Sequence, residues 1–289
     1  MSIFNYTKLM RFKTSFLIGL ASLLGSWFYV SDYNTDLHIT EIVPKLLAVF
    51  LLLVFSSGSL NLFNDIKDIN IDKELKPERI LPQGLVSIKN AYSFFFLSTL
   101  LCLLLSLFIN MIVFGIYVIM FGIGVCYSLF FENIPLVKNI VVSFSISMSI
   151  LVGYLSLIGN SDFNISIKML VIFILSLFSI LAFELQKDIN DVEIDQKYNK
   201  RTFPAIFGKK KSSVLAYIIY WLIVLVLWLY LMVSANTNIY VILILILVQS
   251  YVLISIRNII TDQSFNALER ARIRIYALFA ITLVMLFSI

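Results

Sequence analysis

The sequence predicts an all-α, polytopic membrane bundle of nine transmembrane helices with its N-terminus in the cytoplasm. Three observations predict it. Of the 289 residues, 60% are hydrophobic and only 13% charged, with mean hydropathy +0.96, where a soluble domain carries roughly a quarter charged residues. Nine apolar windows reach the length of about 20 residues that a spanning helix needs. The cations fall in alternate connections between those windows, as the positive-inside rule requires.

In chain order the windows are 14–31, 43–63, 91–109, 111–130, 139–158, 166–186, 213–234, 238–256 and 272–289. The first follows Lys8, Arg11 and Lys13 in the manner of a signal peptide. It is followed by SDYNTD, without a small-residue cleavage site, so it reads as an uncleaved helix. The second and sixth run directly into acidic segments that open the two long inner connections, 64–90 and 187–212. With 1–13, 131–138 and 257–274, these connections hold 20 of the 22 Lys and Arg residues. Only Lys45 and Lys168 fall on the other side, both near helix ends. Nine spans put the C-terminus outside.

Composition also excludes several functions. The net charge of +5 follows the sidedness of the cations and suits an anionic leaflet or substrate. No basic run is interleaved with base-stacking aromatics, so nucleic acid is not a partner. Cys102 and Cys126 lie inside apolar windows with no thiol–metal spacing. The only histidine, His38, is in an outer loop away from the acidic segments, which argues against zinc chemistry or a histidine base. The chain reads as a single domain, 1–289.

The chemistry is concentrated in two matching stripes, NDIKDINID at 64–72 and KDINDVEID at 187–195. Both contain Asp-Ile-x-Asp-x-x-Ile-Asp, 123 residues apart. Asp65, Asp68 and Asp72 stand at i, i+3 and i+7, as do Asp188, Asp191 and Asp195. On a helix this spacing stacks three carboxylates on one face. Such repulsion is relieved by a cation among them, so each stripe reads as a site for a divalent metal. The first stripe extends back through Asn61 and Asn64, the second through Glu184. Each is followed by a coda holding a cation, a proline and a glycine, KPERILPQG at 76–84 and KRTFPAIFG at 200–208. Two equivalent devices four spans apart fit an internal repeat. Lys67, Lys73, Lys76, Arg79, Lys187, Lys200 and Arg201 flank the stripes, and acids beside cations suit a metal and a phosphate together.

Other readings of the stripes are weaker. DINID at 68–72 begins like a calcium loop, but Lys73 stands at the glycine position and Arg79 at the bidentate glutamate position. A carrier of cations or lipid phosphates keeps its acids near the midplane, whereas these lie at helix ends. Chance placement in a solvated loop does not account for the duplicated pattern. Among the aromatic residues (25 Phe, 14 Tyr, 3 Trp), some could line a hydrocarbon tunnel and face a carbocation, although lipid contact is their default role. Tyr127, Ser128 and Lys138, near the end of the fourth window, are further candidates for substrate contact, with packing and anchoring as the alternatives.

At these residues the chain resembles the UbiA superfamily of intramembrane prenyltransferases. Asn64, Asp65, Asp68 and Asp72 match its first motif, N-D-x-x-D-x-x-x-D; Asp191 and Asp195 match its second, D-x-x-x-D, preceded by Lys187 and Asp188 as K-D. The proline–arginine codas and the motifs after the second and sixth of nine spans also look like that family. The resemblance implies Mg²⁺ held by Asn64 and the six aspartates and bridging an allylic isoprenyl diphosphate, with Arg79, Lys187 and Arg201 as the first diphosphate contacts; Asn61, Asn64, Lys67, Tyr127 and Lys138 complete the candidate substrate-binding residues. It implies transfer of the prenyl group within the membrane to a lipid or aromatic acceptor, at a site facing the cytoplasm. KDINDVEID with KRTFP is similar to digeranylgeranylglyceryl phosphate synthases, whose acceptor is a lipid alcohol carrying phosphate. Ile194 stands where those proteins usually have glycine, and Leu75 with Ile80-Leu81-Pro82-Gln83-Gly84 departs from their N-K-P-x-R-P-x-P-S-G. An aromatic acceptor, or cyclisation with no acceptor, is therefore also open.

Overall fold

A computed structural model of the chain describes residues 3–33, 38–131, 134–158, 164–233 and 239–287. Among them are twelve α-helices and no strand. Lipid offers the backbone no hydrogen-bonding partner, so a chain this apolar satisfies its peptide groups within helices. Eight helices are long and apolar enough to cross a membrane, and their positions match the first eight predicted windows. The ninth window, 272–289, overlaps the last helix, whose opening turns carry Glu269, Arg270, Arg272 and Arg274, and it extends past the residues the structure describes. Window ends 234, 238 and 288–289, and the connection residues 34–37 and 132–133, lie outside the described residues.

The chain divides into two compact units. The first comprises Met1–Phe130 and Met148–Asn164. It holds α1 (Ile3–Leu9), α2 (Phe12–Tyr33), α3 (Ile39–Lys67), α4 (Ile69–Leu75), α5 (Ile88–Ile109) and α6 (Met111–Cys126), with the second half of α7 (Val137–Leu155). Here α3 packs on α2, α5 and α6. Ser87 caps α5 and Asn110 caps α6, the latter accepting from Val113 N at 2.8 Å. Small residues set the spacing between α2 and α7. A Cβ on Gly25 would overlap the Ile150 carbonyl, one on Gly153 would overlap that of Ser22, and Ser26 Oγ donates to Gly153 O at 2.8 Å. Such close backbone approach is how helices gain packing energy where lipid supplies no hydrophobic contrast.

The second unit comprises Phe131–Ser147 and Ile165–Ile289. It contains the first half of α7, α8 (Ile167–Lys197), α9 (Phe203–Phe207), α10 (Lys209–Val233), α11 (Ile239–Ile256) and α12 (Phe265–Phe287). Helix α8 is its axis and packs on α9, α10 and α12. Ser166 caps its start, and Met169, Ile172, Leu175, Leu185 and Ile189 are fully buried along it. Trp228 Nε1 donates to Gln249 Oε1 at 2.8 Å between α10 and α11, satisfying two polar groups that lipid would leave unpaired.

Candidate active site

In the first unit the acidic stripe lies where α3 gives way to α4. The helix does not run straight through it. Asp68 leaves helical geometry (φ −89°, ψ 8°), yet Asp68 N still bonds Asn64 O and Asp72 N bonds Asp68 O, so the turn-to-turn spacing survives. Asp65 and Asp72 are both buried, and one guanidinium joins them. Arg79 Nη1 lies 2.9 Å from Asp65 Oδ1 and 2.5 Å from Asp72 Oδ2. Arg79 is held there by its neighbours: Ile80 and Leu81 are buried in an apolar cluster with Leu62 and Ile66 of α3, Leu9, Val86, Ala91 and Phe95. Gly84, at φ +69°, makes the turn back from this plug. Ile80, which stands where that coda has proline, and Leu81 therefore anchor the arginine between them and the stripe.

A second cation reaches the same carboxylate from the start of the chain. Arg11 sits between α1 and α2 with φ +49°, a left-handed conformation fixed by Thr14 Oγ1 donating to Arg11 O and by buried Met10 seated over Gly58 of α3. From there Arg11 Nη2 meets Asp65 Oδ1 at 2.6 Å. Asn64 accepts from the buried Ser128 hydroxyl, and Lys67 Nζ donates to the Ser128 carbonyl. Ser128 belongs to a single π-helical turn, Tyr127–Phe131, at the end of α6. The wider turn departs from α-helical i→i+4 bonding where the Ser128 carbonyl meets Lys67, and π-turns of this kind recur at functional sites.

In the second unit the stripe is continuous with α8, and its three aspartates have different surroundings. Asp188, 1% exposed, uses both oxygens: Lys138 Nζ lies 2.8 Å from Oδ1 and Asn139 Nδ2 lies 2.8 Å from Oδ2. Both donors come from the first turn of α7, entered through the left-handed Leu136 (φ +65°). Asp195 is buried and accepts from Thr202 Oγ1 at 3.0 Å. Asp191 is partly exposed and makes no hydrogen bond or ion pair among the described residues. Buried Glu184 pairs loosely with exposed Lys187, at 3.7 Å one turn away.

The structure thus brings Asn64, Asp65, Asp72, Lys67 and Arg79 into one cluster, and Asp188, Asp195 and Lys138 into another. Asp68 lies half-buried on the first stripe, and Asn61 half-buried one turn before it. Tyr127 opens the π-turn, Lys187 turns back to Glu184, and Arg201 is exposed beside Thr202. Sequence reasoning missed Arg11, Asn139 and Thr202. Arg11 reads as one more inner cation, and Asn139 as a helix-start residue; neither has a spacing that ties it to an aspartate. Thr202 follows Asp195 by seven residues, two helical turns, which is the one local signal available.

The donor set is all hard oxygen, from carboxylates and one amide, which suits Mg²⁺ rather than a soft metal. No three acidic side chains converge into a closed cage among the described residues. That is compatible with Mg²⁺, which keeps waters and is commonly bound by one or two carboxylates together with substrate phosphates. The residues present fit such an ion.

Comparison with known proteins places the chain in a wider group. The model of the UbiA prenyltransferase family matches residues 18–278. Digeranylgeranylglyceryl phosphate synthase of Methanosarcina mazei is 33% identical over 230 residues, 77% of each chain. The protein of the same name from Pyrococcus horikoshii is 26% identical over 230 residues, covering 76% of this chain and 75% of its own. A structure described as digeranylgeranylglyceryl phosphate synthase in membranes shares the fold with TM-score 0.79 and 24% identity, over 98% of this chain and 96% of that one. A UbiA homologue from Archaeoglobus fulgidus bound to GPP and Mg²⁺ has TM-score 0.69 and 20% identity, over 99% of this chain and all of that one.

Proposed function

Because the chain belongs to the UbiA prenyltransferase family and is an integral, multi-pass membrane protein, we propose that its acidic stripes carry out Mg²⁺-dependent prenyl transfer from an allylic isoprenyl diphosphate to a geranylgeranylglyceryl phosphate-like lipid alcohol. The observation that carries this reading is the pairing in the first unit, where two arginines and two aspartates, Arg11 and Arg79 with Asp65 and Asp72, share one cluster. A metal store would need only the acids, and a plain anion site only the arginines. A metal diphosphate needs both. The single family match across residues 18–278 supports treating both units as one catalytic domain.

Asn64, Asp65, Asp68 and Asp72, and in the second unit Asp188, Asp191 and Asp195, are the residues that would hold Mg²⁺. The ion supplies charge neutralisation for diphosphate oxygens when bound. The chain's own cations supply the rest. Arg79 and Arg11, already at the carboxylates, are positioned to turn to diphosphate oxygens as the allylic C–O bond breaks and negative charge moves onto the leaving group. Lys67, Lys138, Lys187 and Arg201 add positive charge around the stripes, and Asn61 and Tyr127 are candidate substrate contacts. The apolar helices shield the allylic cation from water until the acceptor hydroxyl oxygen forms the new C–O bond and its proton passes to the released diphosphate. The glycerophosphate acceptor is supported by the names of the relatives at 33% and 26% identity. The clustering of cations in alternate connections supports an active site on the cytoplasmic side.

The test is diphosphate release by the purified protein in lipid nanodiscs, with and without Mg²⁺. Allylic diphosphates of C10 to C20 and longer are supplied alone, then with geranylgeranylglyceryl phosphate or phenolic acceptors, and products are identified by mass. Mg²⁺-dependent release that requires the lipid acceptor is the expected result. Release with a phenol would change the acceptor class, and release without any acceptor would make the protein a cyclase. Ion flux with no release would replace catalysis by carriage.

A further inference from the structure

Apart from Arg201, the segment between α8 and α10 combines features that the prenyl-transfer reading does not use. Residues 197–211 carry Lys197, Lys200, Arg201, Lys209, Lys210 and Lys211 and no acidic residue. Within this run lies α9, and its two faces differ. Pro204 is buried, as is Thr202 just before the helix, while Ile206 and Phe207 are 43% and 45% exposed. The Phe203 and Phe207 rings lie 4.6 Å apart, so the outward aromatic is supported by its neighbour. Gln196 Nε2 donates to Ala205 O at 3.3 Å, and Thr202 bonds Asp195. These contacts and the packing of α9 on α8 and α10 fix which face points away.

Depth follows from α10. Its 25 residues rise about 37 Å, more than the roughly 30 Å hydrocarbon layer and less than the 40–45 Å that includes the headgroups. With its apolar run in the hydrocarbon, Lys209–Lys211 stand at headgroup level. Phe207 precedes them by two residues, through the left-handed Gly208 (φ +88°). Exposed Ile206 and Phe207 therefore meet the lipid interface beside a run of three lysines. Lys209 is engaged by Glu193 at 3.0 Å, whereas Lys210 and Lys211 are exposed and have no ion pair among the described residues.

We propose that α9 with Lys210 and Lys211 is an interfacial anchor that docks on an anionic bilayer surface, Ile206 and Phe207 entering the headgroup–acyl boundary and the lysines meeting lipid phosphates. Apolar insertion and a polybasic patch are the two signals that together make interfacial binding stable. Thr202, at the base of the anchor, bonds a stripe carboxylate, so the anchor ties the level of Asp195 to the lipid surface.

The experiment reads depth rather than catalysis, so its failure is distinguishable from failure of the prenyl-transfer reading. A spin label is attached at Phe207→Cys, and separately at Ile206→Cys, in a Cys126→Ser background; Cys102 is buried. Collisional accessibility to oxygen and to a water-soluble nickel chelate is measured in nanodiscs of phosphatidylcholine alone or mixed with phosphatidylglycerol. The expected result is severalfold loss of nickel accessibility in the anionic discs, reversed by Lys210→Gln with Lys211→Gln. Equal nickel accessibility in both lipids at both positions would overturn the proposal. Immersion that ignores lipid charge and survives loss of both lysines would overturn the anionic partner.

Discussion

Asp188 and Asp191 stand three residues apart on one helix, yet the bonds around them assign them different work. Asp188 is buried with both oxygens bonded by Lys138 and Asn139, whereas Asp191 is open. Asp191→Asn should abolish diphosphate release and leave the melting temperature in nanodiscs unchanged. Asp188→Asn should lower both, because it leaves the Lys138 ammonium without its counter-charge. Equal melting losses in the two variants would remove the distinction. Arg79→Gln strips two buried carboxylates of their shared partner and is expected to cost about 1–3 kcal/mol of stability as well as turnover. Arg79→Lys should recover only part of either, since an ammonium lacks the planar fork. Denaturant titration alongside diphosphate release checks both.

At the level of elements, the α2–α7 contact depends on two glycines that no side chain can replace without moving backbone. Gly153→Ala should destabilise the first unit by about 1–3 kcal/mol through overpacking against the Ser22 carbonyl. Gly115→Ala and Gly122→Ala meet nothing within 4 Å and should melt like the parent. The α8–α9 junction offers a second test. Thr202→Val removes the hydroxyl that bonds Asp195 and should cost about 1–3 kcal/mol with a partial loss of activity. Full activity in that variant would show that Asp195 does not need this orientation. The helices were legible in the sequence because hydropathy and length are local. The break at Asp68 and the π-turn at Tyr127–Phe131 were not, because both accompany contacts with distant parts of the first unit.

For the molecule as a whole, the buried carboxylates Asp65, Asp72 and Asp188 have internal cations, so the fold should not depend on metal. Chelation of Mg²⁺ is expected to abolish diphosphate release while shifting the melting temperature little. In Arg79→Gln, added Mg²⁺ should stabilise more than in the parent, since it then neutralises charge that the arginine no longer covers. A large metal dependence of melting in the parent would contradict the pairing seen here. Among the described residues, eight of the nine predicted spans meet the length and hydropathy of a crossing helix. The ninth window overlaps α12 and runs beyond the described residues.

By itself the sequence determined that the chain is a many-span helical bundle with two acidic stripes at helix ends. Those properties rest on hydropathy, charge sidedness and the 3.6-residue period, each written within a short stretch of chain. Only the tertiary structure decided which cation meets which carboxylate. Arg11 reaches Asp65 from 54 residues away and Lys138 reaches Asp188 from 50. Ile80 and Leu81 direct Arg79 by filling a core that forms only once α3 and α5 have packed. The physical reason is that charges of one kind are interchangeable along a sequence, and they acquire separate roles only when packing fixes their distances and burial.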